Sequence, residues 1–167
     1  RMDAYALSPY DRTLVLDADY VVASDQLKVL LDVDCDFMCH RWAYDITGLT
    51  DFKNLNYFGQ YRFPMWWATV MMFRRSATAQ YIFDCMGMIK NNYQHYRELY
   101  GITEKNYRND YALSIALGIM SGHTLKVDSI PWPLFSVLSD AELTRTAGTW
   151  GEAWHVNYPR DGKPKTV

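Results

Sequence analysis

The stretch Thr13-Leu14-Val15-Leu16-Asp17-Ala18-Asp19-Tyr20-Val21-Val22 constrains the chain most. Thr13 to Leu16 have the β-branched and aliphatic character of a buried strand, and the apolar run breaks at two carboxylates. Acids at the end of a buried strand do not serve stability. Carboxylates are strong oxygen ligands for hard cations, and i, i+2 spacing lets both reach one ion where the backbone turns. In open α/β sheets the carboxyl ends of strands are also where ligands sit. The expectation is a metal site that holds a phosphorylated substrate. The alternative is a solvated turn after an edge strand.

Composition narrows the classes. The 167 residues suffice for one ordinary domain with a single core, taken as 1–167. A net charge of −2 supplies no basic field to recruit nucleic acid. Aromatic residues make up 16% of the chain, which suits both a core and stacking on sugar faces. The three cysteines, Cys35, Cys39 and Cys85, form no paired framework or zinc spacing and read as buried thiols. Their odd number, with no apolar run near the ~18 residues a membrane span needs and no signal peptide, makes cytoplasmic the expected location.

Periodicity predicts an α/β fold with a mixed sheet and flanking helices. Strands are expected at 13–17, 36–40, 68–73 and 124–130. Helices are expected from Ser24 or Asp25 through Leu31, from a Ser76 cap through about Glu98, and over Asn109 to Met120, the last ended by Ser121-Gly122. In the long helix Tyr81, Ile82, Cys85, Met88 and Ile89 fall on one face. Residues 41–62 lack a clean period and read as a long functional loop. Residues 140–167 read as loop-rich.

The segment from Ser8-Pro9-Tyr10-Asp11-Arg12 through Asp17-Ala18-Asp19 resembles the DxD region of GT-A-fold glycosyltransferases, family 8 and related phage and bacterial sugar transferases in particular. The resemblance implies a partial GT-A fold, a C-terminal portion lacking the nucleoside-binding half. It implies transfer of a sugar from a nucleotide-diphosphate donor to a carbohydrate or other hydroxyl acceptor, with retained anomeric configuration. Asp17 and Asp19 would hold Mn²⁺ or Mg²⁺. His155, in Trp154-His155-Val156-Asn157-Tyr158-Pro159-Arg160-Asp161-Gly162-Lys163-Pro164, would complete the metal site, and Lys163 would meet the diphosphate, although the interval between them is longer than the family's. Arg1 corresponds to a basic residue near the diphosphate.

Tyr107-Arg108-Asn109-Asp110-Tyr111 corresponds to the end of the sugar site. Asp110 would be the catalytic acid facing the donor sugar, with Asn109 beside it; a first-turn Asp also simply complements the helix dipole. Arg108 meets a phosphate or pairs with an acid. Trp66-Trp67-Ala68-Thr69 stands where the family has Asn-Ala/Ser-Gly, so the hydrogen bond of that Asn does not carry over. Trp66 or Trp67 offers a stacking face for substrate or fills a core. A homodimer through an exposed sheet edge completes the expectation.

Two other classes fit part of the pattern. A haloacid-dehalogenase-type phosphatase would use Asp17 as nucleophile and Asp19 as general acid/base, with Ser139-Asp140-Ala141-Glu142 as a later acidic segment, but its Ser/Thr and Lys are missing in the expected order. A non-catalytic carbohydrate-binding α/β domain is compatible with the aromatic content. A glycosidase needs two carboxyls across a bond, which i, i+2 acids do not supply.

Overall fold

The computed structural model describes residues 1–22, 25–48, 50–124 and 126–136, and the backbone of 142–148 and 151–157. In chain order the elements are α1 (Ala4–Leu7), β1 (Arg12–Leu16), α2 (Gln26–Leu30), β2 (Phe37–His40), β3 (Ala43–Asp45), α3 (Phe52–Asn56), β4 (Tyr57–Phe58), β5 (Phe63–Pro64) and β6 (Trp67–Arg74). They continue with α4 (Ala77–Asn91), α5 (Tyr93–Leu99), α6 (Asn109–Met120), β7 (Leu134–Ser136), β8 (Glu142–Gly148) and β9 (Gly151–Asn157). The class is α/β.

β6 is the central strand. Trp67 to Phe73 are all buried, as a strand covered on both faces requires. β1 and β2 flank it, and both run antiparallel to it. The principal sheet is therefore antiparallel, not mixed; parallel pairing occurs in β3–β7 and in the isolated Cys39–Ser129 bridge. Side chains alternate cleanly across it. Val15, Phe37, Cys39, Met71 and Phe73 face the larger core with α4 and α6. Leu14, Met38, Val70 and Met72 face the smaller core with Leu27 and Leu30 of α2. The result is two helical layers around one short sheet.

The predicted helices and strands hold with four corrections. The long helix breaks at Asn92 into α4 and α5, while Ser76 caps α4 by accepting the Ala79 amide at 3.1 Å. On α4 the buried face is Ala79, Ile82, Phe83, Cys85, Met86 and Ile89; Tyr81 and Met88 point outward. Among the described residues of 124–130 no strand forms; of these only Ser129 bridges, to Cys39, and Ile130 donates to the Cys39 carbonyl at 2.9 Å. Within 140–167, β8 and β9 form an antiparallel hairpin.

The 41–62 stretch, expected as a long loop, instead carries β3, α3 and β4, and side chains stand in for backbone between them. Asn56 accepts from the Ala43 amide and donates to the Ala43 carbonyl, both at 2.8 Å, as a neighbouring strand would. Arg41 is buried and donates to the carbonyls of Asn56 and Met65. Its guanidinium lies 4.0 Å from the centre of the Trp42 ring. Cys35, Cys39 and Cys85 are all free and buried, and burial pushes each thiol pKa up, as inert buried thiols require. Among the described residues no helix is long and apolar enough to cross a membrane.

His40 is wholly buried, and its Nδ1–H donates to the Trp132 carbonyl at 3.0 Å, which leaves Nε2 bare. Burial holds its pKa below the ordinary 6.5. The unfolded chain therefore takes up this proton first, so the His40 contribution is present above the unfolded pKa and lost as pH falls through it. The urea midpoint should fall from about pH 7.5 to about pH 5, with a shallower fall in His40→Gln. Equal slopes in the two proteins would show that another group carries the dependence.

Candidate functional site

β1 delivers Asp17 to the end of the sheet. The backbone turns there, with the Tyr20 amide donating to the Asp17 carbonyl at 3.1 Å. Asp17 is nearly buried, and its carboxylate is ion-paired with the Arg1 guanidinium. Asp19, two residues on, is exposed on the turn. The Asp17 amide donates to the Thr69 carbonyl of β6 at 2.9 Å, extending the β1–β6 ladder by one rung.

The β6–β2 ladder breaks at the same place. Cys39 faces Met71, but His40 faces Trp67, so residues 68–70 pass without a partner on β2. Their buried amides must be satisfied elsewhere. α6 satisfies the Ala68 amide, and the Trp66 amide just before β6, with two side chains one turn apart. Asp110 accepts from the Ala68 amide at 2.9 Å, and Ser114 accepts from the Trp66 amide at 2.7 Å. Four helical residues rise about 6 Å and two strand residues about 6.7 Å, so i, i+4 on the helix matches i, i+2 on the strand. The Ser114 hydroxyl donates back to the Asp110 carbonyl at 2.7 Å. Sequence reasoning missed Ser114; a second polar residue one turn after Asp110 in the apolar run Asn109–Met120 was the available signal.

Arg108, just before α6, donates to the other Asp110 oxygen at 2.9 Å, so it pairs with an acid. Asn109 accepts from the Tyr107 hydroxyl at 3.3 Å. Burial pushes the Tyr107 phenol up to about 12, with Asp110 adding to the shift and Arg1 opposing it. Asp17 and Asp110 are thus tied to consecutive residues of β6, and each is paired with a guanidinium.

The remaining predicted residues are distributed otherwise. Trp67 is only 4% exposed, so it presents no open face for stacking; its indole N–H has no hydrogen-bond partner among the described residues. His155 lies on β9 opposite Thr144 of β8. Lys163, like the 139–141 part of the acidic segment considered for a phosphatase, lies outside the described residues. Among the described residues no three His, Cys, Asp or Glu side chains form a cluster fit to enclose a metal ion. Asp17 and Asp19 nevertheless suit a hard divalent cation of the Mg²⁺ type, which is commonly held by one or two carboxylates with substrate phosphates and water rather than by a protein cage. Comparison of the chain with protein-family models, with curated proteins and with solved structures finds no match to any of them.

Removing Asp110 strands a buried amide. Asp110→Ala should cost about 1–3 kcal/mol in urea unfolding, and Asp110→Asn less, because an amide oxygen can still accept from Ala68. Equal losses in both variants would mean that the Arg108 pair, not the Ala68 hydrogen bond, carries the energy.

Proposed function

We propose that this chain carries the cation- and donor-binding part of a nucleotide-sugar glycosyltransferase. The observation behind this reading is the convergence of Asp17 and Asp110 on Ala68 and Thr69 of β6, with Arg1 and Arg108 beside them. Two carboxylates and two guanidiniums at a strand end match the needs of a diphosphate bound with a divalent cation.

In this reading Asp17 and Asp19 hold Mn²⁺ or Mg²⁺, with His155 as a further ligand. The cation neutralises charge on the leaving diphosphate. Arg1 and Lys163 hold phosphate oxygens. Asn109 belongs to the wall of the donor-sugar pocket, while Trp67, buried in the core, supports β6 behind it rather than meeting the sugar. Asp110, oriented by Ala68 and Arg108, turns its remaining lone pairs toward the sugar, where positive charge develops as the bond to the diphosphate breaks. The acceptor is a carbohydrate or other hydroxyl compound. The outer edge of β1 has no strand partner among the described residues and is where two copies would pair.

The test is thermal unfolding with Mn²⁺ or Mg²⁺, alone and with a panel of nucleoside diphosphates. A ligand at a hundredfold excess over its Kd adds about 2.7 kcal/mol to stability. The expected result is stabilisation by cation and nucleoside diphosphate together, abolished in Asp17→Ala and in Asp19→Ala, and reduced less in His155→Ala. Undiminished stabilisation in the two Asp variants would remove the site assignment. Mg²⁺-dependent turnover of an aryl phosphate would replace the reading with the phosphatase.

A further inference from the structure

A second cavity, of about 220 Å³, opens between β4–β5, Tyr100 and the C-terminal half of α6. Phe58, Phe63, Trp66 and Tyr100 supply aromatic walls, with Ser114, Ser121 and His123 as the hydrogen-bonding side chains. We propose that this cavity binds a small phenol, an aromatic ring bearing one hydroxyl. The proposal does not depend on the transferase reading.

The lining selects the ligand by what it can satisfy. No Asp, Glu, Lys or Arg is among the described lining residues, so a phosphate or carboxylate would enter at the full cost of desolvation. A sugar brings several hydroxyls, and each left unpaired costs about 1–3 kcal/mol. The wall cannot receive them. Ser114 is already committed to the Trp66 amide and the Asp110 carbonyl. The Ser121 hydroxyl is turned back to the Gly118 carbonyl at 3.4 Å. What remains is the pair of Tyr100 Oη and His123 Nε2, 3.4 Å apart and only weakly joined. A single ligand hydroxyl meets both groups, accepting from the tyrosine and donating to the imidazole.

The polar pair is held in place by the local backbone. The Gly122 amide bonds to the Ile119 carbonyl at 3.2 Å and the His123 amide to the Gly118 carbonyl at 2.8 Å, the paired bonds of a Schellman helix end. That turn lays the imidazole against Gly118, where a Cβ would come within 2.8 Å of the ring. His123, with φ 58°, and Arg62, next to Phe63 with φ 55°, are the non-glycine residues with left-handed backbone among those described. His123 lines the cavity and Arg62 precedes its lining residue Phe63; such strain concentrates at ligand sites. The Phe63 and Tyr100 rings meet at 4.6 Å between centroids, giving a wall for a third ring.

The experiment is a ligand-observed NMR titration of the full chain with p-cresol, toluene, glucose and phenyl phosphate. The expected result is saturable binding of p-cresol, weaker binding of toluene, and none of glucose or phenyl phosphate. Tyr100→Phe should weaken p-cresol about tenfold, the equivalent of one hydrogen bond, and leave toluene unchanged. His123→Ala, at an exposed position, should repeat that selective loss with the fold intact. Absence of p-cresol binding at millimolar concentration overturns the proposal. So does equal binding of toluene and p-cresol, or binding of glucose or phenyl phosphate at the same site.

Discussion

The hydrogen bond from the Ala68 amide to the Asp110 carboxylate is where the sheet, α6 and the candidate site are joined. β6 must leave β2 at residues 68–70 because the register slips there, and a buried strand cannot leave its amides unpaired. A side chain from another element has to take over. Asp110 does so because α6 packs against β6 with the right rise, and Ser114 repeats the contact one turn later. The carboxylate is then fixed at the place where Asp17 arrives from the opposite neighbour. The structural role and the proposed chemical role of Asp110 are therefore compatible: a carboxylate has about four lone-pair directions, and Ala68 and Arg108 use two.

The same economy shapes the stretch from 41 to 62. Asn56 uses both ends of its amide on Ala43, and Arg41 is buried against carbonyls and aromatic faces rather than against an acid. Guanidinium tolerates this because it is planar and weakly hydrated, so rings and carbonyls replace much of its water. A lysine could not make the same contacts with Trp42 and the two carbonyls. These contacts hold the short elements β3, α3, β4 and β5 on a defined course between β2 and β6.

The core was legible because period-two alternation is a local signal. The run from Ala68 to Phe73 reads as a strand from its composition, and the alternation of Val70 and Met72 against Met71 and Phe73 sorts the two faces. Ser76 and Gly122 announced their helix ends because capping chemistry is also local. What could not be read was whatever depends on partners distant in sequence. The antiparallel order β1–β6–β2 is set by which strands meet, not by their own residues. The 124–130 segment alternates like a strand, but among its described residues only Ser129 forms a bridge, to Cys39. Trp67 could be named as a ring near the site, but its burial depends on packing that no local pattern encodes.

The ion pair between Arg1 and Asp17 determines how the candidate site would respond to a ligand. A nearly buried carboxylate needs a counter-charge, and Arg1 supplies it in the absence of any cation. On the proposed function, a divalent ion reaching Asp17 would displace that guanidinium, because both would compete for the same oxygens. The released Arg1 guanidinium would then be available to the negative charge of a diphosphate. Cation alone forfeits an ion pair to gain a ligand, and phosphate alone meets a guanidinium already occupied. Together each releases the partner the other needs. On the proposed function, the two ligands therefore bind with positive coupling, and Arg1 and Asp17 carry that coupling without any movement of the sheet.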